Sequence, residues 1–183
     1  MAAALGLALL IQAFLVKPYR IPSESMEPTL DVGERVLVNR ANYNFSDPDR
    51  GDIVVFHPPE GAVNGKRCGI SHPADEPCSR PTENRADVNF IKRVVAVPGD
   101  KLAIRDGHAV VNGRVQSEPF TAPCVGGECS FEQEIEIPPG HFFMMGDNRG
   151  ASDDSRFWGP VPEKWIIGQA FFTYWPVNKI RIL

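Results

Sequence analysis

The sequence predicts a mainly β protein, in which an N-terminal transmembrane helix is followed by an antiparallel β-sheet domain with a small inserted β subdomain. Three observations support this fold class. Residues 1–16 carry no charged side chain, as expected of a helix that crosses a bilayer. The rest of the chain shows short apolar runs of strand length rather than a long helical repeat. The 17 prolines and 16 glycines separate these runs as turn residues do.

Residues 1–16 are interpreted as a transmembrane anchor. As a helix they reach roughly 24 Å, less than the roughly 30 Å of bilayer hydrocarbon. A cleaved signal peptide is the alternative, but a basic N-terminal region and a small-x-small cleavage site are missing. Lys17 and Arg20 follow the run, and the positive-inside rule would place them in the cytoplasm. We instead expect a single-pass protein of the cell membrane whose main domain is extracytoplasmic, with a cytoplasmic lead before Met1 resolving the conflict.

The strands are predicted in chain order from runs rich in apolar and β-branched residues. An Asp106-Gly107 pair between two such runs predicts a tight hairpin, because Asp-Gly favours a two-residue turn. The polar segment 58–87, rich in Pro, Gly and Ser, is predicted to be an inserted loop. The predicted strands are residues 34–40, 52–56, 88–97, 102–105, 108–111, 141–145 and 166–174. We assign residues 17–101 and 141–183 to the main domain and residues 102–140 to the inserted β subdomain.

Charge and cysteine spacing exclude some functions and compartments. The sequence has 19 Lys and Arg residues and 23 Asp and Glu residues, which gives a net charge of -4. It also lacks the basic stripe with interleaved aromatic residues that is typical of a nucleic-acid-binding surface. The cysteines form two close pairs, Cys68 with Cys78 and Cys124 with Cys129, which fit two local disulfides in an oxidising compartment. Zinc bound near His57 or His72 is the alternative, although the spacings match no common zinc motif. We expect no metal and no organic cofactor.

Two segments point to nucleophilic chemistry. The stretch IPSESMEPTL at residues 21–30 places Ser23 and Ser25 directly after the apolar run. Lys92 lies between apolar neighbours in a predicted strand, where burial disfavours an ammonium ion and lowers the pKa of the amine. A neutral lysine can take the proton of a serine hydroxyl and activate it as a nucleophile. The alternative is that Lys92 turns its amine to solvent or pairs with a carboxylate.

Four segments in this order, behind the apolar run, resemble the motif set of the type I signal (leader) peptidases. They are residues 21–30, 50–56, 90–100 and 146–156. The resemblance implies a membrane-anchored serine endopeptidase that cleaves signal peptides from exported preproteins after a small-x-small motif. It implies a Ser-Lys dyad, an acyl-enzyme intermediate, and preprotein signal peptides and the lipid bilayer as partners. We expect a monomer.

The resemblance also implies a role for individual residues. Ser25 would be the nucleophile and Lys92 the general base, with the Ser23 hydroxyl and the Ser25 N–H stabilising the oxyanion. Ser152 would hydrogen-bond and orient the Lys92 amine. The expected supporting residues are Asp154, which pairs with Arg156 or Arg93, and Asp147; the expected substrate-binding residues are Ile21, Pro22, Phe90 and Ile91.

Other roles stay open for several of these residues. Ser23 could cap a turn, Asp153 and Asp154 could be solvated loop acids, and Phe90 could fill the core. Trp158, Trp165 and Trp175 could lie at the membrane interface or pack in the core. Two other functions also remain: a self-cleaving regulator with a related Ser-Lys pair, and an anchored interaction protein without activity.

Overall fold

Two antiparallel sheets make up the fold, which confirms the mainly β class. The computed structural model describes residues 15–65, 67–125 and 129–183. The described strands are β1 (Val16–Arg20), β2 (Arg35–Asn39), β3 (Ile53–Phe56), β4 (Phe90–Ala96), β5 (Lys101–Arg105), β6 (His108–Val111), β7 (Arg114–Val115), β8 (Phe131–Glu136), β9 (His141–Met145), β10 (Val161–Pro162), β11 (Ile166–Trp175) and β12 (Arg181–Ile182). Two short helices are α1 (Gly61–Asn64) and α2 (Ser155–Trp158).

The larger sheet has eight strands in the order β1-β2-β11-β3-β4-β9-β10, with β12 paired to β11. Strand β4 lies in its interior, where it pairs with β3 through Phe90 to Arg93 and with β9 through Arg93 to Ala96. The second sheet has the order β7-β6-β5-β8, and all its strands come from the segment between Lys101 and Glu136. The strands β1, β7, β8, β10 and β12 were not predicted: β7, β10 and β12 have only two residues each, and β1 and β8 are rich in charged or polar side chains.

The predicted anchor falls largely on residues outside the described ranges. Leu15 is helical, but Val16, assigned above to the anchor, begins β1 and pairs with Asn39 of β2. The open side of β2 gives the backbone of Val16 hydrogen-bond partners, so the chain is extended from that residue. Within the described ranges, no helix has both the length and the apolar character needed to cross a membrane.

The side chains of β3 point alternately to the two faces of the larger sheet, and both faces are covered by apolar residues. All four residues of β3 are buried, because side chains of a central strand point alternately to two covered faces. Ile53 and Val55 belong to one apolar cluster, and Val54 and Phe56 belong to the other. The first cluster also contains Ile21, Met26 and Leu30, so the segment around Ser25 is packed onto the sheet on both sides of the serine.

The predicted hairpin turn is confirmed by its backbone angles. Asp106 and Gly107 have φ values of 51° and 81°, the left-handed conformation that a two-residue type I′ turn requires. Strands β5 and β6 pair on either side of it from Leu102 with Val111 to Arg105 with His108. One apolar cluster joins the second sheet to the first, since it combines Leu102 and Ile104 with residues of β4 and β9.

Both predicted cysteine pairs are bonded. Cys68 is joined to Cys78 and Cys124 to Cys129. The first bridge pins the long loop between β3 and β4, and the backbone N–H of Cys78 donates to the carbonyl of Arg156 at 3.0 Å. This hydrogen bond ties the loop to α2.

The tryptophans divide between core and surface. Trp158 and Trp165 are buried in the second apolar cluster of the larger sheet, which excludes an interfacial role for them. Trp175 at the end of β11 is 49% exposed, and the guanidinium of Arg35 lies 5.9 Å from the centre of its ring.

Candidate active site

Ser25 lies in a one-turn 3-10 helix, Glu24–Met26, that follows β1. The side chains of Met26 and Leu30 are fully buried and hold this turn against the sheet. The backbone N–H of Asn148 donates to the carbonyl of Ser25 at 3.1 Å, which attaches the turn to the loop after β9. Ser25 is thus fixed by packing on one side and by a hydrogen bond on the other, and only 8% of it is exposed.

Lys92 lies in the middle of β4, opposite Val54 of β3. Its Nζ donates to the Oγ of Ser25 at 2.6 Å, across 67 residues of sequence. The side chain is 4% exposed. Burial lowers the pKa of the amine from its ordinary 10.5 to about 8, against the opposing influence of the negative charges on Asp154 and Asp153. The structure therefore brings the two predicted reactive groups into direct contact.

Ser23 stands at the mouth of the same site. Its Oγ lies 3.4 Å from the Oγ of Ser25, while its backbone is extended and its side chain makes no capping hydrogen bond to the following turn. The capping role left open above is therefore wrong. The hydrogen bond of the turn runs from the Glu27 N–H to the Glu24 carbonyl, so the Ser25 N–H is not used by the turn itself.

Ser152 departs from the prediction. The residue is buried beside the dyad, but its Oγ has no hydrogen-bond partner among the described residues, so the expected hydrogen bond to Lys92 is not formed. The Lys92 amine is directed at Ser25, and the Ser152 hydroxyl packs over Gly146 instead. A Cβ atom at Gly146 would lie 2.3 Å from the Oγ of Ser152.

Asp154 forms a buried ion pair with Arg156, the first of the two partners considered. Arg156 Nε donates to Asp154 Oδ1 at 2.8 Å and Arg156 Nη2 donates to Oδ2 at 2.9 Å. Asp154 also accepts the backbone N–H of Gly146 at 3.1 Å. Burial alone would raise the pKa of Asp154, but the charge and hydrogen bonds of Arg156 outweigh it and lower that pKa. The pair therefore stays ionised and closes the loop from Gly146 to Arg156.

Asp147 is the buried partner of Arg93 instead. Arg93 Nε donates to Asp147 Oδ1 at 2.8 Å and Arg93 Nη2 to Oδ2 at 2.6 Å. The hydroxyl of Thr29 donates to the same carboxylate at 2.5 Å. Asp147 thus connects β4 to the segment that follows Ser25.

A cleft of about 740 Å³ opens beside the dyad. The four predicted substrate-binding residues line it together with Ser23, Ser25 and Lys92; they are Ile21, Pro22, Phe90 and Ile91. Ile21 is also nearly fully buried and belongs to the core. Phe90 both lines the cleft and packs in the core, since its ring meets that of Phe56 at 6.4 Å, edge to face.

The long loop contains a further group of possible metal ligands. The ligand atoms of Cys68, His72 and Cys78 lie within 4.8 Å of one another. The two sulfurs are joined in a disulfide, however, and metals bind the thiolate form of cysteine. In the oxidised protein this group therefore offers one imidazole rather than a metal site.

The buried ion pair of Arg149 and Glu118 was not predicted from the sequence. Arg149 donates to both carboxylate oxygens of Glu118, at 2.9 Å and 2.8 Å, and to the carbonyl of Gly146 at 3.0 Å. Glu118 lies in an irregular polar stretch without periodicity, so nothing in the sequence marks it as buried. Arg149 lies in one of the four motifs, which was a usable signal.

The family model described as "Signal peptidase, peptidase S26" matches residues 1–175. The chain is 34% identical over its full length to probable signal peptidase I-2 of Synechocystis, covering 74% of that protein, and 38% identical over 95% of its length to signal peptidase I of Leptolyngbya laminosa, covering 76% of that protein. It is 40% identical over 97% of its length to probable thylakoidal processing peptidase 2 of Arabidopsis thaliana.

The chain spans 43% of the length of the Arabidopsis relative, whereas it spans about three quarters of the two cyanobacterial ones. The match to the family model covers both candidate reactive residues and the loop from Gly146 to Arg156. The chain therefore belongs to the type I signal peptidases, a family of serine peptidases.

Proposed function

We propose that this chain is a membrane-anchored serine endopeptidase that removes signal peptides from exported preproteins by means of a Ser25–Lys92 dyad. The observation that carries the proposal is the 2.6 Å contact between Lys92 Nζ and Ser25 Oγ at a nearly dry position. A buried amine with a pKa of about 8 is neutral in a useful fraction of molecules near neutral pH. An ordinary surface lysine is not.

The first step is acylation of Ser25. Lys92 Nζ takes the hydroxyl proton while Ser25 Oγ attacks the carbonyl carbon of the scissile bond. The carbonyl oxygen gains negative charge, which the Ser25 N–H and the Ser23 hydroxyl would stabilise; a single donor of this kind contributes about 2.7–4 kcal/mol. The C–N bond then breaks, and the protonated Lys92 returns the proton to the leaving amine.

The second step releases the signal peptide. Lys92, neutral again, deprotonates a water molecule that attacks the ester carbon, and the ester bond to Ser25 breaks. The proton goes back to the serine oxygen, which restores the dyad. Asp154 and Asp147 would contribute by holding the surrounding loop and strand, since both are bound to arginines rather than to Lys92.

Substrate binding would use the open side of β4. Among the described strands, residues Phe90 to Lys92 pair only with β3, because the β9 pairing begins at Arg93. An extended peptide can add to such an edge through its backbone and place alternate side chains in pockets. Ile21, Pro22 and Ile91 would narrow those pockets to small residues at the first and third positions before the cut. The apolar residues that precede β1 would hold the domain at the extracytoplasmic face of the membrane.

Cleavage of a preprotein by the detergent-solubilised full chain tests this proposal. We expect one cut after a small-x-small sequence, and a loss of about a thousandfold or more in kcat/KM for Ser25→Ala and for Lys92→Ala. The matched controls are Ser71→Ala and Lys101→Ala, which change the same residue types at exposed positions and should retain activity. Normal turnover by Lys92→Ala would refute the mechanism, and self-cleavage alone would favour a self-cleaving regulator.

A further inference from the structure

Asp153 is a charged wall residue of the catalytic cleft. It lines the cleft together with Ser25 and Lys92, and its carboxyl is 43% exposed. Its charge acts on the Lys92 amine, second only to that of Asp154 among the neighbouring charges. A negative charge at this place favours the ammonium form of a lysine, which is the form that cannot act as a base.

The charge of Asp153 is neutralised by a residue from a distant part of the chain. Arg67 Nη1 lies 3.1 Å from Asp153 Oδ1, and the same guanidinium lies 5.4 Å from the centre of the Phe157 ring. Arg67 directly precedes Cys68, whose disulfide to Cys78 is tied to α2 by the hydrogen bond to the Arg156 carbonyl. The loop thus places the guanidinium group of Arg67 at the rim of the cleft.

The other carboxylates near Lys92 are neutralised differently. Asp154 is paired with Arg156 two residues away, and Asp147 with Arg93 of the adjacent strand; both pairs are buried. Among the described carboxylates near Lys92, Asp153 is the one whose charge is paired with a residue of the loop between β3 and β4. The charged groups that face Lys92 from the surrounding elements are Asp147, Asp153, Asp154 and Arg156, with Arg20 of β1 on the cleft wall.

We propose that the Arg67–Asp153 ion pair sets the charge facing the Lys92 amine and thereby fixes the pH range in which the dyad works. The inference rests on the proposed function of Lys92 as general base. Arg67 and Asp153 are positioning residues in this scheme, since neither takes a proton from Ser25. Because the pair is partly exposed, its effect is modest, and we expect about a two- to threefold change in the protonation equilibrium of Lys92.

The pH dependence of kcat/KM for the solubilised full chain tests the proposal. In R67A the acid limb, the part of the profile in which kcat/KM rises with pH, moves to higher pH. At pH values below the limb kcat/KM falls about two- to threefold, and its plateau at high pH is unchanged. In D153N it moves to lower pH, and R67A causes no further shift in the D153N background. R67K retains the wild-type limb. The control R114A removes one exposed arginine from the second sheet and leaves the limb in place.

Two results would overturn the proposal: a lower plateau in R67A with no shift of the limb and no change in the pKa of Lys92, or an R67A shift that persists in the D153N background. Titration of ¹³C-labelled lysines by NMR, with the Lys92 signal identified by its loss in K92M, separates the two levels of inference. If the pKa of Lys92 moves in R67A but the rate profile does not follow, the ion-pair proposal stands and the general-base function fails. If that pKa does not move, the ion-pair proposal fails.

Discussion

Lys92 destabilises the fold that contains it. The pKa of its amine falls from 10.5 to about 8 on burial, and each pKa unit corresponds to about 1.4 kcal/mol. The protonated side chain therefore costs about 3 kcal/mol of folding free energy at pH values below 8. The hydrogen bond to Ser25 offsets little of this cost, because a single hydroxyl group takes the place of the water molecules that hydrate an exposed ammonium ion.

This cost has a defined pH dependence. Below pH 8, Lys92 is protonated in both the folded and the unfolded chain, and the full penalty is present. Between pH 8 and 10.5 only the unfolded chain keeps the proton, so the free energy of unfolding rises with pH. We expect the stability of wild type relative to K92M to rise by about 3 kcal/mol between pH 7.5 and 10.5.

Urea unfolding of wild type and K92M at several pH values measures this difference. The matched control is Lys101→Met, which makes the same substitution at an exposed lysine of β5. A wild-type minus K92M difference that stays constant across the range would contradict the depressed pKa of Lys92.

Asp153 and Asp154 are adjacent in the sequence but differ in burial, so the same substitution should have different effects on stability at the two positions. Asp154→Asn leaves Arg156 buried beside a neutral partner, and breaking a buried pair costs about 3–5 kcal/mol. Asp153→Asn makes the same chemical change at a partly exposed pair, where the expected loss is about 0–1 kcal/mol. Chemical denaturation compares the two variants, and equal losses would show that the Asp154 pair does not stabilise the loop.

At the level of the elements, the loop between β9 and α2 packs closely against the turn that contains Ser25. Gly146 follows β9 directly, and a Cβ there would lie 2.3 Å from the Ser25 carbonyl oxygen and 2.3 Å from Ser152 Oγ. The loop can approach the nucleophile turn this closely only because Gly146 has no side chain. The Asn148 N–H can then reach the Ser25 carbonyl.

Gly146→Ala should therefore displace the Ser25 turn. We expect a loss of about 1–3 kcal/mol in stability, typical of overpacking, and a fall in kcat larger than any change in KM. Gly150→Ala is the matched control in the same loop, since its Cβ would meet no atom closer than 3.9 Å. Steady-state kinetics and urea unfolding measure both effects, and equal behaviour of the two variants would contradict the packing argument.

Across the whole molecule, the two sheets are joined by an apolar cluster and by one buried ion pair. Arg149 from the loop after β9 reaches Glu118 of the segment between β7 and β8 and also donates to the Gly107 carbonyl at the β5–β6 turn. Glu118 in turn accepts the Ala109 N–H at 3.0 Å. The second sheet is thus fastened to the loop that holds the candidate site.

Glu118→Gln should loosen this junction. The variant leaves Arg149 buried without an anionic partner, and we expect a loss of about 3–5 kcal/mol in the free energy of unfolding. Glu132→Gln on β8 removes the same charge at an exposed position and should change stability by less than about 0.5 kcal/mol. Denaturant unfolding distinguishes them, and a Glu118→Gln variant as stable as wild type would refute the role of the pair.

Periodicity and turn chemistry predicted the central strands and the β5–β6 hairpin, because a buried strand and an Asp-Gly turn leave local signals. The meeting of Ser25 and Lys92 across 67 residues was predicted from chemistry and family resemblance. The orientation of the Ser152 hydroxyl and the partner of Glu118 depend on side-chain packing between distant segments. No local pattern encodes those contacts, so the first was predicted wrongly and the second was missed.

Both rims of the larger sheet carry a proline: Pro18 in β1 and Pro162 in β10. A proline lacks the N–H that an incoming strand would need, and Lys17 and Arg20 add charge at the first rim. Neighbouring copies therefore gain fewer backbone hydrogen bonds by pairing edge to edge along β1 or β10. The recessed stretch from Phe90 to Lys92 has no such protection, and there a visiting chain can still find backbone partners.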